Sequence, residues 1–206
     1  MKTNLQRWLW LGLAALSLAG TVGAQPFPNK PVKALVLTHH HMDHANGARG
    51  FGAAGAKIYV GAGDGAYLRN MMTSPHNVRK DALAKKPRSV EVIEVADKTV
   101  LGDGTRSIEL YRIANGHAEG MLIAYLPDVK LGYVTDLWAP GRDTEFGTER
   151  QRALVDAVEK AGIRPERFAG GHGGVHQVFG LSAHGSGGQG GECNQLLHVN
   201  VPSKGG

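Results

Sequence analysis

Short compact apolar runs alternate along the chain with longer periodic ones. Lys33 to Thr38 (KALVLT) is a continuous apolar run with β-branched residues that ends in a polar cluster, the pattern of a buried strand. Lys57 to Gly61 (KIYVG) and Val90 to Ala96 (VEVIEVA) repeat that texture, and Asp64 to Lys86 between them reads as helix or loop. Asp103 and Gly104 separate KTVL from RSIELYRIA as a hairpin turn does, and Pro127 with Asp128 divides MLIAYLPDVKLGYVTD in the same way. The clearest helix is Thr148 to Ala161. Thr148 can cap it, Leu154, Val155, Val158 and Ala161 share one face, and Gly162 and Pro165 stop it. FAGGH then leads into a last strand or loop. Strands interleaved with helices place the chain in the α/β (α+β) class.

The two ends have a different texture. Residues 1–24 combine a positive start (MKTNLQR), an apolar stretch and the small-residue end TVGA, which together read as a signal peptide cut after Ala24. The apolar stretch Trp8 to Gly20 is shorter than the roughly 20 residues a spanning helix needs, so export to a periplasm or the outside is expected rather than anchorage in a membrane. Residues 175–206, with the run GSGGQGG from Gly185 to Gly191, read as a disordered tail. That leaves residues 25–174 as one domain.

Composition adds limits. With 42% apolar and 20% charged residues the chain is globular. Its net charge of +5 falls to +3 without Lys2 and Arg7, too little to indicate nucleic acid. Cys193 is the single cysteine, which excludes an internal disulfide and a multi-cysteine zinc site.

The 10 histidines matter more. THHHMDHANG sets His39, His41, Asp43 and His44 in an H-x-H-x-D-H pattern directly after a strand, where a loop can turn several imidazole and carboxylate groups toward one point. His117, Asp136 and His172 each follow a strand beside small residues that permit close approach. His40, between two ligands, is expected to point away from them and to serve structure. Asn115 and Gly116 read as the loop that positions His117, and Trp138 as a candidate pocket wall. Tyr125 and Tyr133 read as core or rim. His76, His176, His184 and His198 read as exposed. Arg79, Lys80, Lys85, Lys86 and Arg88 read as a solvated face, and GAGDG (Gly61 to Gly65) as a turn, since no phosphate-loop Lys follows it.

From about Lys30 to Gly174, the order H-x-H-x-D-H, lone His, lone Asp, final His resembles the metallo-β-lactamase superfamily. The resemblance implies an αββα sandwich with two divalent metal ions, zinc first, with iron or manganese as alternatives. His39, His41 and His117 would hold one ion, Asp43, His44 and His172 the other, and Asp136 would bridge them. Ions so placed share a hydroxide that is nucleophilic at neutral pH, and Asp43 would orient it and pass on its proton. The implied reaction is hydrolysis of an ester, thioester, lactone or amide in a small-molecule substrate. His41, where the diiron flavoprotein branch carries an acidic residue, argues against oxygen reduction. Asp136, where the best-known zinc β-lactamases carry Cys or Ser, points toward the branch resembling glyoxalase II and lactonases. A mononuclear iron thiol or persulfide oxygenase and a non-catalytic remnant are the alternative readings.

The chain departs from the family pattern at its start. Gln25 to Thr38 is only 14 residues, room for one strand where the family supplies several. The expected fold is therefore an N-terminally truncated sandwich, whose uncovered apolar face would favour an oligomer.

Overall fold

The computed structural model describes residues 31–139 and 147–177. The expected leader, the Gly-rich run, Cys193, His184 and His198 lie outside the described residues. Two sheets form the centre. The first is parallel, in the order β1 (Ala34–Val36), β2 (Lys57–Gly61), β3 (Val92–Val95). The second has six strands in sequence order: β4 (Lys98–Gly102), β5 (Ser107–Arg112), β6 (Leu122–Leu126), β7 (Leu131–Val134), β8 (Arg167–Gly170) and β9 (Val175–Gln177). Its pairs are antiparallel except β7 with β8, which run parallel because α5 (Glu149–Ala161) carries the chain between them. Four helices accompany the first sheet: α1 (Met42–Ala45), α2 (Ala48–Ala54), α3 (Gly65–Thr73) and α4 (Ala82–Lys85).

Burial explains why the strands read as apolar runs. In β5, Ile108 and Leu110 face the first sheet while Tyr111 and, just past the strand, Ile113 face α5; β6 divides Leu122 and Ala124 from Ile123 and Tyr125 in the same way. Both faces are covered, so the alternation is apolar against apolar. Three core layers result. Leu35, Leu37, Ile58 and Val60 pack against Leu68, Met72 and Leu83 of the helices. Val36 and Val95 meet Leu110 and Leu122 between the sheets. Leu154 and Val158 of α5 close over Ile123, Val134 and Phe168. The layers are helix, sheet, sheet, helix, the αββα sandwich that the ligand pattern implies.

Local signals act as expected in α5. Gln151 N donates to Thr148 Oγ1 and Thr148 N donates to Gln151 Oε1, each at 3.3 Å, closing a capping box. Gly162 ends the helix at φ 67, where a side chain would be strained. The structure corrects two expectations. β9 carries the second sheet to Gln177, past the expected domain limit at Gly174, by pairing with β8. Trp138 is 2% exposed and lies edge-on to Phe168 in the core, so it is no pocket wall. Among the described residues no helix is long and apolar enough to cross a membrane.

Candidate metal centre

The ligand segments all follow strands, and each is fixed by its own local contacts. His39, His40 and His41 lie just beyond β1, anchored where Leu122 N donates to Thr38 O at 2.7 Å and so ties β1 to β6. The Thr38 hydroxyl lies 2.9 Å from that of Thr135 and 3.2 Å from His39 Nδ1, a buried link between the first and second sheets. With Nδ1–H donated to Thr38, His39 presents Nε2 inward. The chain then turns into α1 with His41 at its N-cap, so Asp43 and His44 sit on a short helix rather than in the loop expected from the motif. Consecutive helical side chains ordinarily diverge, yet His44 Nε2 lies 3.2 Å from Asp43 Oδ2.

His117 lies between β5 and β6 in a loop that the Asn115 side chain organises. Asn115 Nδ2 donates to Ile113 O and Ala118 O, both at 3.0 Å, and Oδ1 accepts from His117 N at 2.8 Å and Ala118 N at 2.9 Å. The expected positioning loop is therefore present, and the amide is fully used. Asp136, two residues past β7, has a left-handed backbone at φ 58. Aspartate tolerates that region better than most residues but still at a cost, and such strain is concentrated at functional sites. His172 follows β8.

These seven side chains converge. His39, His41, His117 and Asp136 form one group and Asp43, His44, Asp136 and His172 another, with the ligand atoms of each group within 4.8 Å of one another. Asp136 belongs to both. Its Oδ2 is 3.1 Å from His39 Nε2, 3.1 Å from His44 Nε2 and 2.9 Å from His117 Nε2, and its Oδ1 is 2.8 Å from His172 Nε2. His39 Nε2 faces His117 Nε2 at 3.2 Å, and His44 Nε2 faces His172 Nε2 at 3.3 Å.

Opposed ring nitrogens at such distances repel unless a proton or a cation lies between them. Protons are the poorer choice on the first group. Burial, then the neighbouring His39 and His40, holds His41 below the ordinary histidine value. Burial likewise lowers His117, with Asp136 opposing. Around Asp136 the balance differs. Burial works against ionisation of Asp136, but the bonds from His39 and His44 outweigh it and hold the carboxyl well below the usual carboxylate range. Burial also disfavours charge on His44, and Asp136 reverses that, so its value is raised. One group offers three imidazoles and a carboxylate, the other two imidazoles and two carboxylates, donor sets that fit first-row divalent ions. The chain thus carries a glyoxalase II-like set of His and Asp groups suited to two ions.

The remaining histidines fall as expected in part. The His40 ring turns aside from both groups and bonds Asp64 at 2.9 Å. His76 is exposed and His176 half-buried. Of the basic stretch, Arg79, Lys80, Lys85, Lys86 and Arg88 are all exposed. Several supporting residues carry no sequence signal of a role at the centre, namely Thr38, Thr135, Asp64 and Arg150, whose Nη1 donates to Asp136 O at 3.3 Å.

Comparison with known proteins agrees with this geometry. Residues 12–172 match the model of the metallo-beta-lactamase superfamily. A metallo-beta-lactamase from Pontibacter korlensis superposes with a TM-score of 0.53 at 17% identity, over 72% of this chain and 65% of that one. An archaeal metallo-beta-lactamase superfamily protein from Sulfolobus tokodaii gives a TM-score of 0.50 at 17% identity, over 72% and 64%. The chemotaxis sensor ODP, solved as a peroxy diiron species, gives 0.50 at 14% identity, over 71% and 64%. The chain spans about two thirds of the length of these structures or slightly less, and at such identity the likeness is one of fold. No curated protein sequence matches it. Taken with the seven converging ligands, the family match over most of the chain means that it belongs to the metallo-beta-lactamase superfamily.

Proposed function

We propose that this chain is an exported metal-dependent hydrolase that cleaves an ester, thioester, lactone or amide at a binuclear centre. His39, His41 and His117 would hold one divalent ion and Asp43, His44 and His172 the second, with Asp136 available to both. The observation that carries this reading is the Asp136 carboxylate, shared by two ligand groups whose atoms each lie within 4.8 Å of one another. A mononuclear enzyme has no use for the second group, so its convergence favours two ions over one. Zinc is the first candidate, because imidazole and carboxylate are among its ordinary ligands and the reaction needs no redox change.

Ions bound there would supply a strong nucleophile from water at neutral pH and polarise the scissile carbonyl. The protein's own part is positional. Burial of His39 and the bonds of Asn115 and Thr38 fix the ligands before substrate arrives, so little order remains to be imposed. The Asp43 side chain is 55% exposed, unlike Asp136 at 11%, so it is the carboxylate able both to hold an ion and to exchange a proton with solvent. Arg150 stands beside Asp136 at the N-terminal end of α5, where it adds positive charge next to the centre. Tyr133, pushed up to about 12 by burial, stays a neutral phenol throughout the working range.

The test is metal content by elemental analysis together with hydrolysis of a panel of activated esters, thioesters, lactones and amides. About two zinc ions per chain, and hydrolysis lost to a chelator and restored by zinc, are expected. Less than one metal per chain, or hydrolysis indifferent to chelation, overturns the reading. Export is tested separately by sequencing the N-terminus of protein recovered outside the cytoplasm, which should begin at Gln25.

A further inference from the structure

His41 differs from the other ligands of its group. The His39 ring bonds Thr38, and the His117 loop is held by Asn115, but the His41 ring makes no hydrogen bond among the described residues. Its orientation rests on packing alone. The rings of His39 and His117 stand edge-on to it at 4.5 Å and 4.6 Å, both inside the ligand group, and the His40 ring stands edge-on at 5.1 Å from outside the group. Ligating histidines ordinarily owe their ring orientation to a carboxylate or carbonyl on the far nitrogen.

A buried carboxylate is present, one residue removed. Asp64 is 2% exposed and its Oδ1 accepts from His40 Nδ1 at 2.9 Å. A carboxylate only accepts, so the ring must carry its proton on Nδ1 toward Asp64. Two features mark this contact as more than a turn bond. Asp64 is the N-cap of α3, a position where aspartate usually bonds its own helix, yet its side chain makes no cap bond. Its Oδ2 is buried without a partner. The backbone also makes room for it. A Cβ at Gly120 would overlap the Asp64 carboxylate, so Asp64 lies wedged between the His40 segment and the loop that carries His117. Both the lost cap and the unpartnered oxygen cost stability, and neither improves packing.

We propose that Asp64, acting through His40, is a positioning residue for the first metal ion: it fixes the His40 ring as the outer wall that holds His41 in ligating orientation. This rests on the metal-centre reading above, and it assigns to GAGDG a role beyond a turn.

The test uses zinc alone as the probe, on the full chain as purified, with the two successive affinities measured by competition against a chromophoric chelator. Asp64→Leu keeps the branched shape, though with more bulk, and removes the acceptor; it should weaken one of the two zinc ions about tenfold, the lower end of what outer contacts contribute, and leave the other within about twofold. Asp64→Asn keeps an oxygen for His40 Nδ1–H and should stay within about threefold of wild type at both ions. Arg49→Met, which weakens the fold away from the centre, controls for a general loss of stability and should alter neither affinity. Equal affinities in Asp64→Leu and wild type, a loss in Asp64→Asn as large as in Asp64→Leu, or a parallel loss in Arg49→Met would each overturn the assignment. A wild-type chain that binds no zinc overturns the metal-centre reading and this inference with it, whereas two zinc ions unaffected by Asp64→Leu overturn only the inference.

Discussion

Arg49 is a charged residue that the fold has taken inside, and its partner lies 32 positions away. The residue is 5% exposed. Nε donates to Asp81 Oδ2 at 2.6 Å and Nη2 to Asp81 Oδ1 at 3.0 Å, while Nη1 donates to Met71 O at 2.6 Å and Met72 O at 3.0 Å. Asp81 also accepts from Ala84 N at 2.8 Å, capping α4. One fork therefore joins α2, which follows the metal-binding segment, to the end of α3 and the start of α4. Replacing Asp81 by Asn keeps an acceptor for the cap and removes the charge. The magnitude follows from the carboxyl itself, whose pKa is brought from 3.8 to about 2, chiefly by the Arg49 hydrogen bonds, against the cost of burial. A shift of that size corresponds to roughly 2.4 kcal/mol. The side chain is 33% exposed, so solvent screening reduces this to about 1–2 kcal/mol. The sign is that of a depressed carboxyl. The contribution is complete above the unfolded value near 3.8, declines as the pH falls, and is gone below about 2. Urea unfolding of metal-free wild type and Asp81→Asn should show a gap of about 1–2 kcal/mol at pH 7, or roughly 2–8 °C in Tm for a domain of this size. The gap should close between pH 4 and pH 2. A gap that persists unchanged at pH 2, or one below about 0.5 kcal/mol at pH 7, would refute the reasoning.

Three further outcomes are expected. Asp136→Asn weakens the charge shared by both ligand groups, so the chain should retain about one zinc ion or fewer by elemental analysis; two ions at wild-type affinity would show that Asp136 bridges nothing. Thr38→Val removes the hydroxyl between His39 Nδ1 and Thr135, and should weaken zinc about tenfold in chelator competition while costing about 1–3 kcal/mol in unfolding of the metal-free protein. Gly61→Ala would drive a Cβ into the Gly120 carbonyl, where backbone meets backbone and neither side can rotate away; thermal unfolding should report a loss of about 1–3 kcal/mol, and an unchanged melting temperature would mean that the two segments separate freely.

The parts of this fold that were legible in the sequence are those whose cause is local. The two hairpins, α5 with Thr148 and Gly162 at its ends, and the seven ligands in order after their strands all follow from neighbours a few residues apart. What was hidden depends on distance. α1 and α2 are too short for their periodicity to register, so the segment after H-x-H read as loop. Asp64 has the local signature of a turn or cap, and only a histidine 24 positions earlier reveals its use. Arg49 and Asp81 look like two surface charges until the fold brings them together. Trp138 stands close to a ligand in sequence but points into the layer under α5, a distinction that spacing does not carry.

The shared link from Thr38 to Thr135 draws attention to where the ligands originate. His39, His41, Asp43 and His44 belong to the half built on the first sheet, whereas His117, Asp136 and His172 belong to the half built on the second. Each ligand group takes members from both halves. An ion seated in either group is therefore a rivet through the interface as well as a reagent. Its binding free energy adds to the adhesion of the two sheets, and stability rises with free metal concentration as for any ligand that binds only the folded chain. Removing a bound ion takes that contribution away from the join between the two sheets. The same seam that gathers the seven ligands governs how readily the molecule comes apart.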